Sequence, residues 1–410
     1  MSVIGTEDCL NLAVFTPANK HRKLLPVIVF IHGGGFTRGS YTALGPNYLL
    51  DQEVVLVQIH YRLSSLGFLC VTTSHSLPNV GLLDQVLALQ WVQTYIKHFG
   101  GDPGQVTLIG ESAGAAAVSY LMSSPVGRGL FSKAVVMSGA NTAQWAVNTR
   151  PSHYASGLAR ALGCSHRVEE DMVRCIKYGR TLDQIIVAGE KYRKELQARG
   201  LILGTEIFAP CHDSTFSPLT ADSQISNPVP TLVSAVRNEG TLFAALAVAG
   251  FYNKARLPPD YFHHQFLVDI LRLLKVPNTE VERIKRQYFR EGELGSLSGV
   301  LPGVATVLGT FMIKLPVYNF ARLYSEKAPT YLMSFQYQGG NSYFDLIAPE
   351  GSRELLDPGV SHGDDLLYLF YTGVLEFGTY FEDRIHVEIN RVALQMRGIG
   401  VLQENSQNYW

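Results

Sequence analysis

The stretch richest in chemical possibility is Gly110-Glu111-Ser112-Ala113-Gly114, a serine between an apolar run ending at Ile109 and an alanine-rich run, Ala113 to Met122. A serine hydroxyl becomes a nucleophile when a base removes its proton and the backbone presents it, and G-x-S-x-G between a strand and a helix does the presenting. Glycines on both flanks let the chain turn tightly enough to leave Oγ of Ser112 exposed at the strand's carboxyl edge. The helix that follows sets its positive end beneath any negative charge developing there. A second stretch, His32-Gly33-Gly34-Gly35-Phe36, follows the apolar run Val27 to Ile31. Taken alone it reads equally well as a glycine-rich turn. Beside Ser112 it reads as a loop whose bare backbone N–H groups approach a substrate carbonyl and hold its oxyanion.

A serine nucleophile of this kind needs a histidine and a carboxylate, and the chain holds 12 histidines. Chains built on the G-x-S-x-G turn run Ser, then Asp or Glu, then His. That order favours His362, in Gly359-Val360-Ser361-His362-Gly363-Asp364-Asp365, which precedes the apolar run Leu366 to Phe370. His386 lies later still, in a helical-looking stretch, and periodicity alone leaves it open. The acid should stand at a strand's carboxyl end, where it can orient the imidazole. Glu239 does so, after the run Val233 to Val236 and before Gly240, and Asp213 remains its rival by position.

Those residues need a scaffold that brings strand ends to one edge. Short apolar runs rich in β-branched residues alternate with amphipathic stretches, which predicts an α/β fold with a mostly parallel central sheet flanked by helices. The expected strands are Val27 to Ile31, Val54 to Ile59, Gln105 to Ile109, Ala134 to Met137, Thr231 to Val236 and Thr330 to Phe335. A helix is expected over Asp84 to Phe99, stopped by Gly100-Gly101-Asp102-Pro103, and Leu201 to Asn227 reads as a long irregular connection. No repeat, low-complexity segment or linker divides residues 1–410, which predicts a single domain.

Composition sets the outer bounds. Apolar residues make up 46% of the chain and charged residues 17%, enough apolar material for a large core. The net charge is −1 with no clustered basic stripe, so nothing points to a nucleic-acid partner, and small molecules are the expected ones. No run approaches the roughly eighteen apolar residues of a membrane span, and the first residues lack the pattern of a signal peptide. Cys9, Cys70, Cys164, Cys175 and Cys211 show no metal-binding spacing and read, from the residues alone, as isolated buried thiols.

With these motifs in hand, the chain resembles type-B carboxylesterases, the group that includes cholinesterases and insect esterases, from Thr6 to about Met396. The resemblance is carried by Glu7-Asp8-Cys9-Leu10-Asn11-Leu12, the His32 to Phe36 loop, Tyr61-Arg62-Leu63, Leu66-Gly67-Phe68 and Asn79 through Gly81 to Asp84-Gln85. It continues through Phe99 to Pro103, Gly110 to Gly114, Asn238-Glu239-Gly240 and His362 to Phe370. It implies an α/β-hydrolase fold and a carboxylic ester hydrolase that needs no metal or organic cofactor. Ser112 would be the nucleophile, His362 the base and Glu239 the acid, with N–H groups of Gly34, Gly35 and Ala113 as the oxyanion hole. It also implies a Cys164–Cys175 disulfide and a secreted or ER-lumenal protein. Glu111 is similar to the family's second active-site carboxylate, although a buried structural acid paired with an arginine is the reading favoured first. Phe36 and Phe68 read either as gorge lining or as plain core.

The chain departs from that family at both edges. The region preceding Glu7 in the family, with the cysteine that partners Cys9, has no counterpart, and Gly398 to Trp410 does not resemble the family's closing elements. The single domain is thus expected to lack family segments at both ends and to expose apolar surface that lowers its solubility. Three rival readings follow: a catalytically silent binding or adhesion module, an inactive truncated product, and a juvenile-hormone esterase, the last disfavoured because Glu111 stands where those enzymes carry Gln.

Overall fold

The computed structural model describes residues 6–372 apart from 19–22, 199–204, 224, 253–260, 262–264 and 291. His386 lies outside the described residues. Seven strands form one sheet: β1 (Leu12–Phe15), β2 (Leu25–Ile31), β3 (Val55–Ile59), β4 (Gly101–Glu111), β5 (Lys133–Met137), β6 (Thr231–Val236) and β7 (Thr330–Phe335). Their spatial order is β1-β3-β2-β4-β5-β6-β7, with β1 antiparallel to β3 and the other neighbours parallel.

The six expected strands are thus present. Their side chains show why unbroken apolar runs signalled them: the consecutive residues Val29, Phe30 and Ile31 in β2 and Val55, Leu56 and Val57 in β3 are all sealed from solvent. A parallel sheet covered by helices on both faces asks for apolar residues at successive positions rather than alternate ones. The carboxyl ends of the strands come into line, with Ile31 beside Gly110, Glu111 beside Met137 and Met137 beside Ser234. Whatever follows those residues therefore meets at a single sheet edge.

Three details differ from expectation. β1 is an additional strand whose four residues are only half-buried, so it lacks the apolar density of the central runs. The stretch from Gly101 enters β4 instead of forming a free turn, pairing with Leu25 before a register irregularity between Leu25 and Val27. The expected Asp84 to Phe99 helix starts earlier, at Val80, and tightens into a 3₁₀ turn over Ile96–Phe99, closed by Gly100 at φ 81°. That φ favours glycine as a helix stop.

Helix Ala113–Ser123 lies on the sheet so closely that a Cβ on Gly114 would stand 2.0 Å from the Ile31 carbonyl oxygen. Among the described residues one helical run, Leu297–Ser325, is long and apolar enough to cross a membrane, but 67% of its most apolar window is buried. Its Ala305 and Gly309 press on Gly240, where a Cβ would fall 1.7 Å from the Ala305 oxygen, so the run packs as a core helix against Gly240–Tyr252.

Two disulfides staple the loops. Cys164–Cys175 has the pairing that the family resemblance implies. Cys70–Cys211 corrects the reading of those two residues as isolated thiols: 141 residues apart in sequence, they are brought to a Cα separation of 6.2 Å by the fold. Spacing along the chain carries no trace of such a pairing. Cys9 is the free cysteine among the described residues.

Candidate active site

Ser112 stands between the last residue of β4 and the first turn of helix Ala113–Ser123, at φ 55° and ψ −120°. A serine with positive φ is strained, and the surroundings hold it there. Its N–H donates to the Met137 carbonyl at 2.8 Å. Glycines permit the close approach: a Cβ on Gly110 would stand 2.3 Å from the Gly114 oxygen, and one on Gly139 would stand 2.2 Å from the Ser112 oxygen.

The His32 to Phe36 loop crosses beside this turn. Gly34, Gly35 and Phe36 have φ of 105°, 62° and 60°, so the backbone runs through left-handed conformations over three residues. At Gly33 a Cβ would lie 2.9 Å from the Glu111 carbonyl oxygen and 3.0 Å from Ser112 Cβ, which sets the loop directly against the serine. Among the described residues, the N–H groups of Gly34, Gly35 and Ala113 donate to no protein acceptor. Phe36 and Phe68 are fully buried and pack with ring centroids 5.1 Å apart, as core.

Glu239 and His362, 123 residues apart in sequence, meet: His362 Nδ1 and Glu239 Oε2 are 2.6 Å apart and both residues are buried. The carboxylate can only accept, so Nδ1 carries the proton in this pair. The other oxygen, Oε1, accepts from Ser138 Oγ at 2.6 Å and from the Val236 N–H at 2.8 Å. The turn bearing Glu239 is bolted to the loop bearing His362. Asn238 N–H donates to the Val360 carbonyl, and Val360 N–H donates to Asn238 Oδ1. Thr241 Oγ1 bonds the Pro358 carbonyl and Ser361 Oγ. Asp364 caps the loop, accepting from Ser342 Oγ and from the N–H groups of Tyr343 and Ser361.

Asp213, the rival acid, is engaged elsewhere. It accepts from the N–H groups of Thr215 and Phe216 and from Asn79 Nδ2 at 2.7 Å, closing a turn.

Among the described residues Glu111 has no arginine partner. Its Oε1 lies 3.2 Å from His362 Nε2, a charge contact without hydrogen-bond alignment, since the same oxygen has no hydrogen-bond partner. Among the described residues no hydrogen bond joins Ser112 Oγ to His362, whose Nε2 is turned toward Glu111. Hydrogen bonds of this kind are commonly loose in ligand-free enzymes and tighten with substrate bound. Burial raises the Glu111 carboxyl to about 7, against the opposing pull of His362. Burial works against charge on His362, yet the Glu111 and Glu239 carboxylates outweigh it and lift the imidazole to about 9. The two groups form one coupled titrating unit rather than two independent sites.

Two residues that the sequence reading did not single out belong to this cluster. Ser138, at φ 54° after β5, supplies the hydroxyl on Glu239; its position just past a strand's carboxyl end was the available signal. Asp365 is buried with neither carboxylate oxygen hydrogen-bonded. Burial first, then the charges of Glu111 and Glu239, raise its carboxyl well above the ordinary range.

Comparison with known proteins places nearly the whole chain in a family. The pattern of the Carboxylesterase family matches residues 1–396. The chain is 31% identical over 396 residues to juvenile hormone esterase of Tribolium castaneum, covering 90% of this chain and 66% of that protein. It is 32% identical to cocaine esterase of Homo sapiens, covering 89% of this chain and 62% of that protein. It is 31% identical to acetylcholinesterase of Danio rerio, covering 90% of this chain and 58% of that protein. The chain thus spans somewhat less than two thirds of the length of each of these relatives.

Proposed function

The chain belongs to the carboxylesterase family, and we propose that it hydrolyses carboxylic esters through an acyl-enzyme on Ser112, with His362 as base and Glu239 as its orienting acid. The observation that carries the reading is the buried 2.6 Å contact between His362 and Glu239 at the sheet edge where Ser112 is held at φ 55°. Three relatives named for unlike esters match at 31%, 32% and 31% identity, so what carries over is the shared chemistry rather than one ester.

In this reading His362 Nε2 leaves Glu111 and takes the Ser112 proton as Oγ adds to the ester carbonyl carbon. The carbonyl oxygen becomes an oxyanion held by the N–H groups of Gly34, Gly35 and Ala113, each such donor contributing about 3 kcal/mol to the transition state. The carbon–oxygen bond to the alcohol breaks, and His362 returns its proton to the departing alkoxide. Water then adds to the acyl-enzyme, giving its proton to His362, and Ser112 leaves with that proton as the carboxylic acid is released.

The test is labelling with a fluorophosphonate probe and hydrolysis of p-nitrophenyl acetate by the protein and by Ser112→Ala. Both signals should vanish in the variant while its melting temperature holds. A cooperatively melting parent protein that neither labels nor turns over would leave the binding-module reading in its place.

A further inference from the structure

Glycine explains why the loop from His32 can bend, but not what fixes the direction of its N–H groups. A trans peptide unit points its C=O and its N–H in opposite directions. Holding one carbonyl therefore aims the N–H of the next residue. Three consecutive units here have their carbonyls held. Tyr61 Oη donates to the His32 oxygen at 2.9 Å. The His32 ring nitrogen Nδ1 lies 2.9 Å from the Gly33 oxygen. The N–H groups of Thr37 and Arg38 donate to the Gly34 oxygen at 3.2 and 3.1 Å. The first clamp comes from a neighbouring strand end and the third from backbone. The middle one, which aims the N–H of Gly34, rests on the His32 side chain.

We propose that His32 is a positioning residue of the oxyanion loop, its Nδ1–H donating to the Gly33 carbonyl and so turning the Gly34 N–H toward the oxyanion formed on Ser112. This rests on the reading of Gly34, Gly35 and Ala113 as the oxyanion hole. The ring's state follows from its partners. A carbonyl oxygen only accepts, so Nδ1 must carry the proton. Nε2 is then a bare acceptor, and among the described residues it is buried without a hydrogen-bond partner, a setting that disfavours a second proton on the ring. Burial also lowers the imidazole to about 4, so the ring stays neutral across the range where esterases work. The ring is seated by stacking on Tyr61, centroids 4.6 Å apart.

Gly39 gives independent support. A Cβ there, at φ 120°, would stand 2.4 Å from His32 Nδ1 and 2.5 Å from the Gly33 oxygen, wedged against both donor and acceptor. The backbone at 39 has closed over this hydrogen bond, and a residue with a side chain would break it.

The variants His32→Asn and His32→Leu separate aiming from packing. Asn places an amide N–H where Nδ1 stands, whereas Leu keeps bulk and donates nothing. Each is assayed for kcat and KM on p-nitrophenyl acetate and for inhibition by an aryl trifluoromethyl ketone. Ser112 Oγ adds to that ketone's carbonyl carbon, the proton passes to His362, and the oxyanion rests in the hole. Losing a well-aimed oxyanion donor costs about a hundredfold in kcat. His32→Leu should lose roughly ten- to a hundredfold in kcat and in ketone affinity together, with KM within about twofold. His32→Asn should recover most of both.

Parent-like kcat and ketone affinity in His32→Leu would overturn the proposal. So would equal losses in the Asn and Leu variants in step with equal drops in melting temperature, which would make the ring a packing element. A parent protein that fails to label with fluorophosphonate would instead remove the oxyanion-hole reading, and this inference with it.

Discussion

Replacing Glu111 by Gln keeps the shape of the side chain wedged beside Gly33 while removing its charge from His362. At the 3.2 Å separation of Oε1 and Nε2, two unit charges attract by about 5 kcal/mol at an effective dielectric of 20 and by about 1 kcal/mol in the limit of bulk water. At 1.36 kcal/mol per pH unit, the imidazole should become easier to deprotonate by roughly one to four units. The acid limb of the kcat/KM profile reports protonation of the base in the free enzyme. In the parent it should fall between the value of about 7 for Glu111 and about 9 for His362. In Glu111→Gln it should move down by at least about one unit. The same charge stabilises the imidazolium that forms in the transition state, so the plateau kcat should drop roughly tenfold, for a loss of about 1 kcal/mol or more. Stability supplies a second readout. The Glu111 carboxyl rises from 4.5 to about 7 on folding, so the folded state holds the extra proton and stability falls as pH rises through that window. Glu111→Gln should therefore gain melting temperature relative to the parent at pH 8 more than at pH 4. The assay is p-nitrophenyl acetate hydrolysis from pH 5 to 10, with melting curves alongside. An unmoved acid limb and plateau would refute the coupling between Glu111 and the base.

Further outcomes follow from other contacts. Glu239→Gln puts an amide N–H among three donors, from Ser138, Val236 and His362; the imidazole is forced into the wrong tautomer, and kcat should fall by about 10³–10⁴. Steady-state kinetics checks this, and a loss below tenfold would remove Glu239 from its role. Replacing Cys70 and Cys211 by Ala opens a closure spanning 141 residues and should cost about 5 kcal/mol on the chain-entropy estimate. Replacing Cys164 and Cys175 opens one spanning 11 residues and should cost about 3 kcal/mol. Urea unfolding should rank the two in that order. His32 falls from 6.5 to about 4 on folding, so its contribution is complete above 6.5 and is lost as pH drops toward 4. His32→Leu should thus lose less melting temperature than the parent between pH 7 and pH 4.5.

The parts of this protein that were legible in its sequence are those encoded locally. Val29 to Ile31 and Val55 to Ile59 declare themselves as buried strands because each successive side chain meets a covered face. The strand β1 does not, since its residues are half-buried and its pairing with β3 is set by register with Leu56 to Ile59. Ser112 was legible because the strain at φ 55° must be written into its neighbours as glycines. The choice of acid was not legible from the residues alone: Glu239 and Asp213 both stand beside turns on the correct side of Ser112, the family resemblance preferred Glu239, and in the structure their partners separate them. Those partners, His362 for one and Asn79 for the other, lie 123 and 134 residues away.

The same distinction bears on what keeps the site in order. Glu239 receives three hydrogen bonds and is fully enclosed, whereas Glu111 and Asp365 are buried with unpartnered carboxylate oxygens. A buried carboxylate without donors is costly when ionised, and burial is accordingly the largest cause that raises both the Asp365 and the Glu111 carboxyl above the ordinary range. An imidazole facing one fully bonded carboxylate and one poorly bonded one is asymmetric. Nδ1 is anchored, and Nε2 rests on a contact without hydrogen-bond alignment, which in the proposed mechanism is the one exchanged for Ser112. A fully hydrogen-bonded Glu111 would stabilise the same charge but would also lock the base away from the nucleophile. The unsatisfied oxygen beside His362 thus fits a site in which the base must move.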